Sequence, residues 1–151
     1  MYINLEAKES KLVLENNYLG HLSYIYQNRP YVVPITYYYD VEKNVIICYS
    51  GEGHKMHAMR QNNRVAMNVI DVAALTKWKS VTIHGTFEQL FASEAKSYLH
   101  AFSLGIKALV AEKELKELSF ISEFSSKMVN ENLPMIFIIK IDEITGKLRK
   151  D

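Results

Sequence analysis

Two β-forming runs joined by a polar turn, and delivered into a glycine-punctuated loop, constrain this chain more than any other stretch. Tyr31 to Tyr39 is almost wholly β-branched or aromatic, Asp40 to Asn44 is polar, and Val45 to Tyr49 resumes the β-forming pattern. That order predicts a hairpin. Its second strand runs into Ser50-Gly51-Glu52-Gly53-His54-Lys55, after which a helical pattern begins at about Lys55 and continues to Gln61. A strand-to-helix junction of this kind suits an anion. The first amides of a helix lack intrahelical partners, the helix dipole favours negative charge there, and His54 and Lys55 add cationic donors.

The flanking sequence extends the β pattern. GHLSYIY, from Gly20 to Tyr26, reads as a strand closed by the turn residues Gln27 to Pro30 and paired with the Tyr31 run. Beyond the short helix, Asn62-Asn63 breaks the pattern and Arg64 to Ile70 supplies another strand. Asp71 to Lys79 reads as a loop carrying Trp78. Ser80 to Leu90 alternates with period two, with Gly85 marking a bend or bulge. At Ser93, a favourable N-cap, the period becomes helical and runs to Val110, with an interruption expected near Gly105. A further helix is expected over Lys113 to Phe124. Pro134 opens a last strand from Met135 to Ile141, and Lys147 to Asp151 reads as a mobile charged tail. Near the start, Leu5 and Leu12 to Leu14 among charged residues predict a helix ending at Asn16-Asn17.

Six strands with short connections and a helical insert at about 93–133 describe a single domain over residues 1–151, mainly β with flanking α. The βαβ alternation of a dinucleotide-binding fold is absent, so Gly51 and Gly53 are not read as its fingerprint. Eighteen basic residues against seventeen acidic ones, with no basic block, give no footprint for nucleic acid. No apolar stretch reaches membrane-spanning length and no signal peptide is evident, so the expected setting is cytoplasmic, with no membrane partner. The one cysteine, Cys48, lies inside an apolar strand and argues against thiol catalysis. His54 and His57 stand three apart, but no acidic or thiol partner has metal-ligand spacing, so no metal site is expected.

The run SGEGHKMHAMRQNNRVAMNV, preceded by YVVPITYYYD and followed by SVTIHGTFEQL and ITGKLRK, resembles the pyridoxamine 5'-phosphate oxidase-like superfamily of FMN-binding split barrels. Within it the nitroimidazole-reductase-like branch is the nearest. The resemblance implies a six-stranded antiparallel split β-barrel that binds FMN between the subunits of a homodimer. His54 and Lys55 then hold the phosphate. Pro34, Ile35 and Thr36, with Tyr49 and Ser50, support the ring; Ser80 reaches the ribityl and phosphate end, and Trp78 covers the ring, a substrate or a subunit contact. Arg60 has two readings, phosphate support or a solvated helix residue. The C-terminus lacks the arginine and histidine segment of authentic vitamin B6 oxidases, so the implied activity is oxidoreduction between a small-molecule electron donor and a small, nitro-aromatic-like acceptor. No side chain is singled out as a catalytic acid or base. The alternative is a flavin or haem binding protein or sensor without turnover.

Overall fold

The computed structural model describes residues 1–114 and 135–151. Their elements are β1 (Tyr2–Asn4), α1 (Ala7–Glu15), β2 (Leu19–Tyr26), β3 (Arg29–Asp40), β4 (Val45–Ser50), α2 (His54–Gln61), β5 (Arg64–Ala74), β6 (Lys77–Leu90), α3 (Ala92–Glu114) and β7 (Met135–Arg149). All strand pairings are antiparallel, in the order β1-β7-β4-β3-β2-β5-β6. An additional pairing of β7 with β6 closes six of the strands into a ring, leaving β1 on the outer edge of β7. This is the expected split barrel.

Local chemistry accounts for the hairpins. Gln27 and Asn28 both have positive φ, 50° and 61°, which matches the tight two-residue turn joining Tyr26 to Arg29. Asp40 accepts a hydrogen bond from the Lys43 amide at 3.1 Å, and Asn44, also at positive φ, accepts one from the Tyr39 hydroxyl at 2.7 Å.

Continuous apolar runs in β4 and β7 follow from burial on both faces. Ile46, Cys48, Phe137 and Ile139 point into the barrel, where they meet Leu22, Tyr37, Met67 and Ile83. Val45, Ile47, Ile136 and Ile138 point outward onto Leu99, Phe102, Ile106 and Val110 of α3. α1 and α2 close the barrel with Leu14, Met56 and Met59. Tyr37 and Tyr39 are core residues, while the Tyr38 ring lies on α3 at Gly105, where a Cβ would fall 2.1 Å from it. Gly105 therefore makes room for a ring and α3 passes through it without a break, contrary to the expected interruption.

Three other expectations are corrected. Asp71 to Lys79 is not a loop: β5 and β6 continue through it, with Ala74 opposite Lys77 and Trp78 opposite Val72. Lys147 to Arg149 is not a mobile tail, because it pairs with β1 on one side and β6 on the other. α3 begins at Ala92, a residue ahead of the expected cap Ser93. Most of the helix expected over Lys113 to Phe124 lies outside the described residues.

The irregularity expected at Gly85 is present, with the extra residue, Asp142, on the facing strand β7. The β6–β7 register shifts between His84 and Gly85, and a Cβ on Gly85 would lie 2.4 Å from the Lys140 carbonyl oxygen. Because the obstacle is backbone, Gly85→Ala is expected to lower unfolding free energy by about 1–3 kcal/mol. Gly51→Ala, with nothing within 4 Å of its Cβ position, should stay within about 0.5 kcal/mol. Urea denaturation midpoints of the two variants check the contrast.

Candidate functional site

The Ser50–Lys55 junction sits where β4 leaves the sheet. The β3–β4 ladder ends at Tyr37 and Cys48, so Tyr49 and Ser50 on one strand and Pro34 to Thr36 on the other lie where the two part. Gly53 precedes α2 with an extended backbone (φ 172°), and no side chain caps the helix. The first intrahelical bond runs from the His57 amide to the Gly53 carbonyl at 3.1 Å, leaving the amides of His54, Lys55 and Met56 without intrahelical partners. Cβ positions on Gly51 and Gly53 meet nothing within 4 Å. The loop is a cradle of free amides with open space around it.

Charge is arranged around this cradle. Lys55 is half-buried and makes no ion pair among the described residues. It lies close enough to Cys48 to oppose burial, which nevertheless pushes that thiol well above its usual range. Arg60 binds Glu52 through two bonds, Nη1 to Oε1 at 2.8 Å and Nη2 to Oε2 at 3.0 Å, and its Nε donates to Gln89 Oε1 at 2.9 Å. The guanidinium is thus committed to the loop, on a helix residue that stays exposed to solvent.

His54 stands in a setting that sequence reasoning missed. Its Nδ1 lies 2.9 Å from the Tyr24 hydroxyl, and its ring centroid is 4.7 Å from that of Tyr31 and 5.1 Å from that of Tyr26. Burial, then proximity to Tyr31, raises the Tyr24 pKa and keeps its hydroxyl protonated. His57 Nε2 lies 3.1 Å from Gln61 Nε2 and 3.5 Å from the Tyr26 hydroxyl. The signal was present in the alternation of YIYQNRPY, which puts Tyr24, Tyr26 and, across the turn, Tyr31 on one side of the hairpin.

The other expected residues divide. Ser50 is buried and its hydroxyl donates to the Gly51 carbonyl at 2.8 Å, steadying the loop. Tyr49 packs its ring edgewise on Phe102 of α3, centroids 5.3 Å apart. Pro34 is exposed on the outward face, Ile35 is buried in the barrel, and Thr36 is half-buried. Ser80 and Trp78 stand apart from the loop. Nine residue steps along β6 lead from Ser80 to Gln89, the partner of Arg60, which is ~30 Å of extended strand. Ser80 accepts from Asn68 Nδ2 at 2.9 Å, and Trp78 leans on Tyr2 at 6.0 Å.

Ser80 and Trp78 share an outward sheet face with Pro34: Pro34, His21, Asn68 and Thr82 form one rung across β3, β2, β5 and β6. The face is apolar for an exposed surface, with Leu19, Val32, Ile70 and Val72 all on it. Further along that face, a groove of about 730 Å³ crosses β2, β5, β6 and β7 between Arg64, His84 and Glu143; Tyr24 and Gly85 line it, and none of the residues expected to bind the cofactor does. Among the described residues no three His, Cys, Asp or Glu side chains group to hold a metal ion, and no helix is long and apolar enough to cross a membrane.

A closed antiparallel ring with a glycine loop and short helix between its third and fourth strands defines the split-barrel class of the pyridoxamine 5'-phosphate oxidase-like superfamily. The chain belongs to the pyridoxamine 5'-phosphate oxidase family, whose model matches residues 6–147. The uncharacterized protein RA0666 of Rhizobium meliloti is 27% identical over 97% of this chain and 95% of its own length. Among solved structures, an FAD-binding protein of Mesorhizobium loti superposes with a TM-score of 0.77 at 24% identity, covering 100% of this chain and 98% of that one. A Bacteroides thetaiotaomicron protein, described as a 5-nitroimidazole antibiotic resistance protein, gives a TM-score of 0.72 at 19% identity, covering 100% and 91%.

Folding depresses the Glu52 pKa, chiefly through the hydrogen bonds from Arg60. The stabilisation from this pair is therefore present above the unfolded carboxylate range and is lost as pH falls through the lower folded value. Melting temperatures of the protein and of Glu52→Gln should differ at pH 7 and converge as the pH falls below the ordinary carboxylate range. A constant gap would show that the carboxylate charge is not its source.

Proposed function

We propose that the chain binds a flavin through its phosphate at the Ser50–Lys55 loop and acts as an oxidoreductase on a small, planar acceptor. The observation that carries this reading is the uncapped start of α2 beside Lys55, which has no ion-pair partner among the described residues, behind two glycines with open space around them. A phosphate monoester carries nearly two negative charges, and free helix-start amides with a cationic donor are the strong way to hold it. FMN fits that cradle. The fold shared with an FAD-binding protein and the family match support the same class of cofactor.

Roles for the remaining residues follow from their places. Lys55 supplies charge, and His54, oriented by Tyr24 and walled by Tyr26 and Tyr31, supplies a ring nitrogen. Backbone groups of Pro34, Ile35, Thr36, Tyr49 and Ser50 line the place for the ring where β3 and β4 part. Ser80 and Trp78 lie too far along β6 to share that site within one chain, so they serve it from a second copy. The exposed Leu19, Val32, Ile70 and Val72 on the same face give that copy an apolar surface to cover. A bound flavin supplies reversible two-electron transfer, accepting hydride from a nicotinamide or similar donor, which no side chain here can do. The chain's part is to orient the two reactants and exclude water. A 5-nitroimidazole-related protein of the same fold supports a nitro-aromatic-like acceptor.

Lys55→Ala is expected to weaken FMN binding by about 1.5–3 kcal/mol, the scale of a charged hydrogen bond, in a titration followed by flavin absorbance. Unchanged affinity would remove Lys55 from the site. Light scattering should give the mass of a dimer. Val32→Asp, at a position 65% exposed in the single chain, should halve that mass while leaving the circular dichroism spectrum intact. A dimer that tolerates the charge would place the contact elsewhere.

A further inference from the structure

At the barrel end reached by the β5–β6 hairpin, two adjacent rungs put aromatic and basic side chains side by side. Val72, Trp78, Arg149 and Tyr2 are successive partners across β5, β6, β7 and β1. The next rung on the same face holds Ile70, Ser80, Lys147 and Asn4. The Tyr2 ring is 65% exposed, with its centroid 6.0 Å from that of Trp78 and 5.7 Å from the Arg149 guanidinium carbon.

The cations of this face are poorly compensated. Arg149 Nε is shut off from solvent and has no hydrogen-bond partner among the described residues. The nearest carboxylate oxygen to its Nη2 is that of Asp151, at 3.8 Å, and that carboxylate also takes the Met1 ammonium at 3.1 Å. Lys147 Nζ donates to Asn4 Oδ1, a neutral acceptor. An exposed aromatic ring beside a second ring offers a stacking surface to a planar base, and each base stacked on an aromatic side chain is worth a measurable share of affinity. Arginine and lysine one rung apart offer bidentate and point-charge contacts to phosphate oxygens.

We propose that this face binds the adenosine-phosphate moiety of a nucleotide cofactor, with the base stacked on Tyr2 and bordered by Trp78, whose ring is inclined 52° to that of Tyr2, and the phosphate on Arg149 and Lys147. Two cofactors carry that moiety: a flavin dinucleotide and a nicotinamide dinucleotide donor. The choice between them rests on the flavin reading above. Ser80, offered there to the phosphate end of the flavin, occupies the Lys147 rung, so the face continues from that end toward the adenylate position.

Trp78 is the only tryptophan, so its fluorescence reports on the face directly. The full chain is titrated with ADP, inorganic phosphate, FMN, FAD and NADPH, in parallel with Tyr2→Ala, Tyr2→Phe, Arg149→Gln and Lys55→Ala. ADP is expected to quench saturably, with affinity falling about tenfold in Tyr2→Ala, retained in Tyr2→Phe, reduced and less salt-dependent in Arg149→Gln, and unchanged in Lys55→Ala. FAD bound more tightly than FMN, with that preference lost in Tyr2→Ala, assigns the adenylate of the flavin. Equal FAD and FMN affinities with NADPH displacing ADP assign the donor. No saturable ADP quenching, an equal response to phosphate alone, or ADP affinity untouched by Tyr2→Ala overturns the proposal, as does ADP binding that neither FAD nor NADPH shares. FMN binding lost in Lys55→Ala while ADP binding survives separates this face from the loop. ADP binding in a chain that takes up no FMN leaves the face standing and removes the flavin reading.

Discussion

Pairing of β7 along both of its edges is the interaction on which the rest of the structure depends. On one edge Met135 to Lys140 pairs with β4, and Lys147 to Arg149 pairs with β1. On the other edge β6 runs alongside from Leu90 to Trp78. One 15-residue strand therefore closes the ring, backs α3, and reaches the far barrel end. No flat strand does all three. The bend comes from Asp142, the extra β7 residue where His84 faces Glu143 and Gly85 faces Ile141. Thr86 holds the Asp142 carboxylate through a 2.9 Å hydrogen bond, and the missing side chain of Gly85 lets the Lys140 carbonyl approach. A bulge of this kind increases twist, which a six-stranded ring requires.

Closure of the ring decides where chemistry can occur. Inside, Tyr37, Met67, Phe137 and their neighbours fill the barrel, so no ligand enters it. Among the described residues, a place for a ligand opens where β4 parts from β3 beyond Cys48, while Tyr49 and Ser50 stay paired with β7. The chain then needs to cover the open barrel end, which Met56 and Met59 of α2 do, and to reach that helix it needs the glycine loop. An uncapped helix start facing outward is thus a by-product of closing the barrel. The same packing that buries two methionines leaves three amides free.

Hairpins, the short helix and the Gly85 bend were legible in the sequence because each rests on a local signal: alternation, a turn residue or a glycine inside a strand. What was not legible rests on partners. Asp71 to Lys79 carries Ala73, Ala74 and two lysines, a composition that reads as loop, yet its two arms pair with each other as a hairpin, and β7 supplies a second ladder beside Trp78 and Lys79. Lys147 to Arg149 reads as a charged tail for the same reason and is held from both sides. The candidate site shows the same split. His54 and Lys55 are contiguous and were found by their pattern. The Tyr24–His54 bond joins residues 30 apart, and Arg60–Gln89 joins residues 29 apart, so neither leaves a trace in local sequence.

The committed state of Arg60 has a consequence for the electrostatics of the loop. A carboxylate at Glu52, one residue from Gly53, would by itself repel an anion at the helix start. Arg60 removes most of that repulsion by bidentate pairing, and the pair lies largely in solvent, so its direct contribution to stability is small. Its geometric contribution is larger. Through Gln89 on β6 and the Met135 sulfur at 3.0 Å, the same guanidinium ties the loop to the two strands that complete the ring. Arg60 thus leaves Lys55 as the cation of the loop without a carboxylate partner among the described residues, and ties the loop to the barrel end. An arginine donated directly to a ligand could supply more charge. Arg60 instead supplies a fixed position for the free amides, and a preorganised donor loses less entropy on binding than a mobile one.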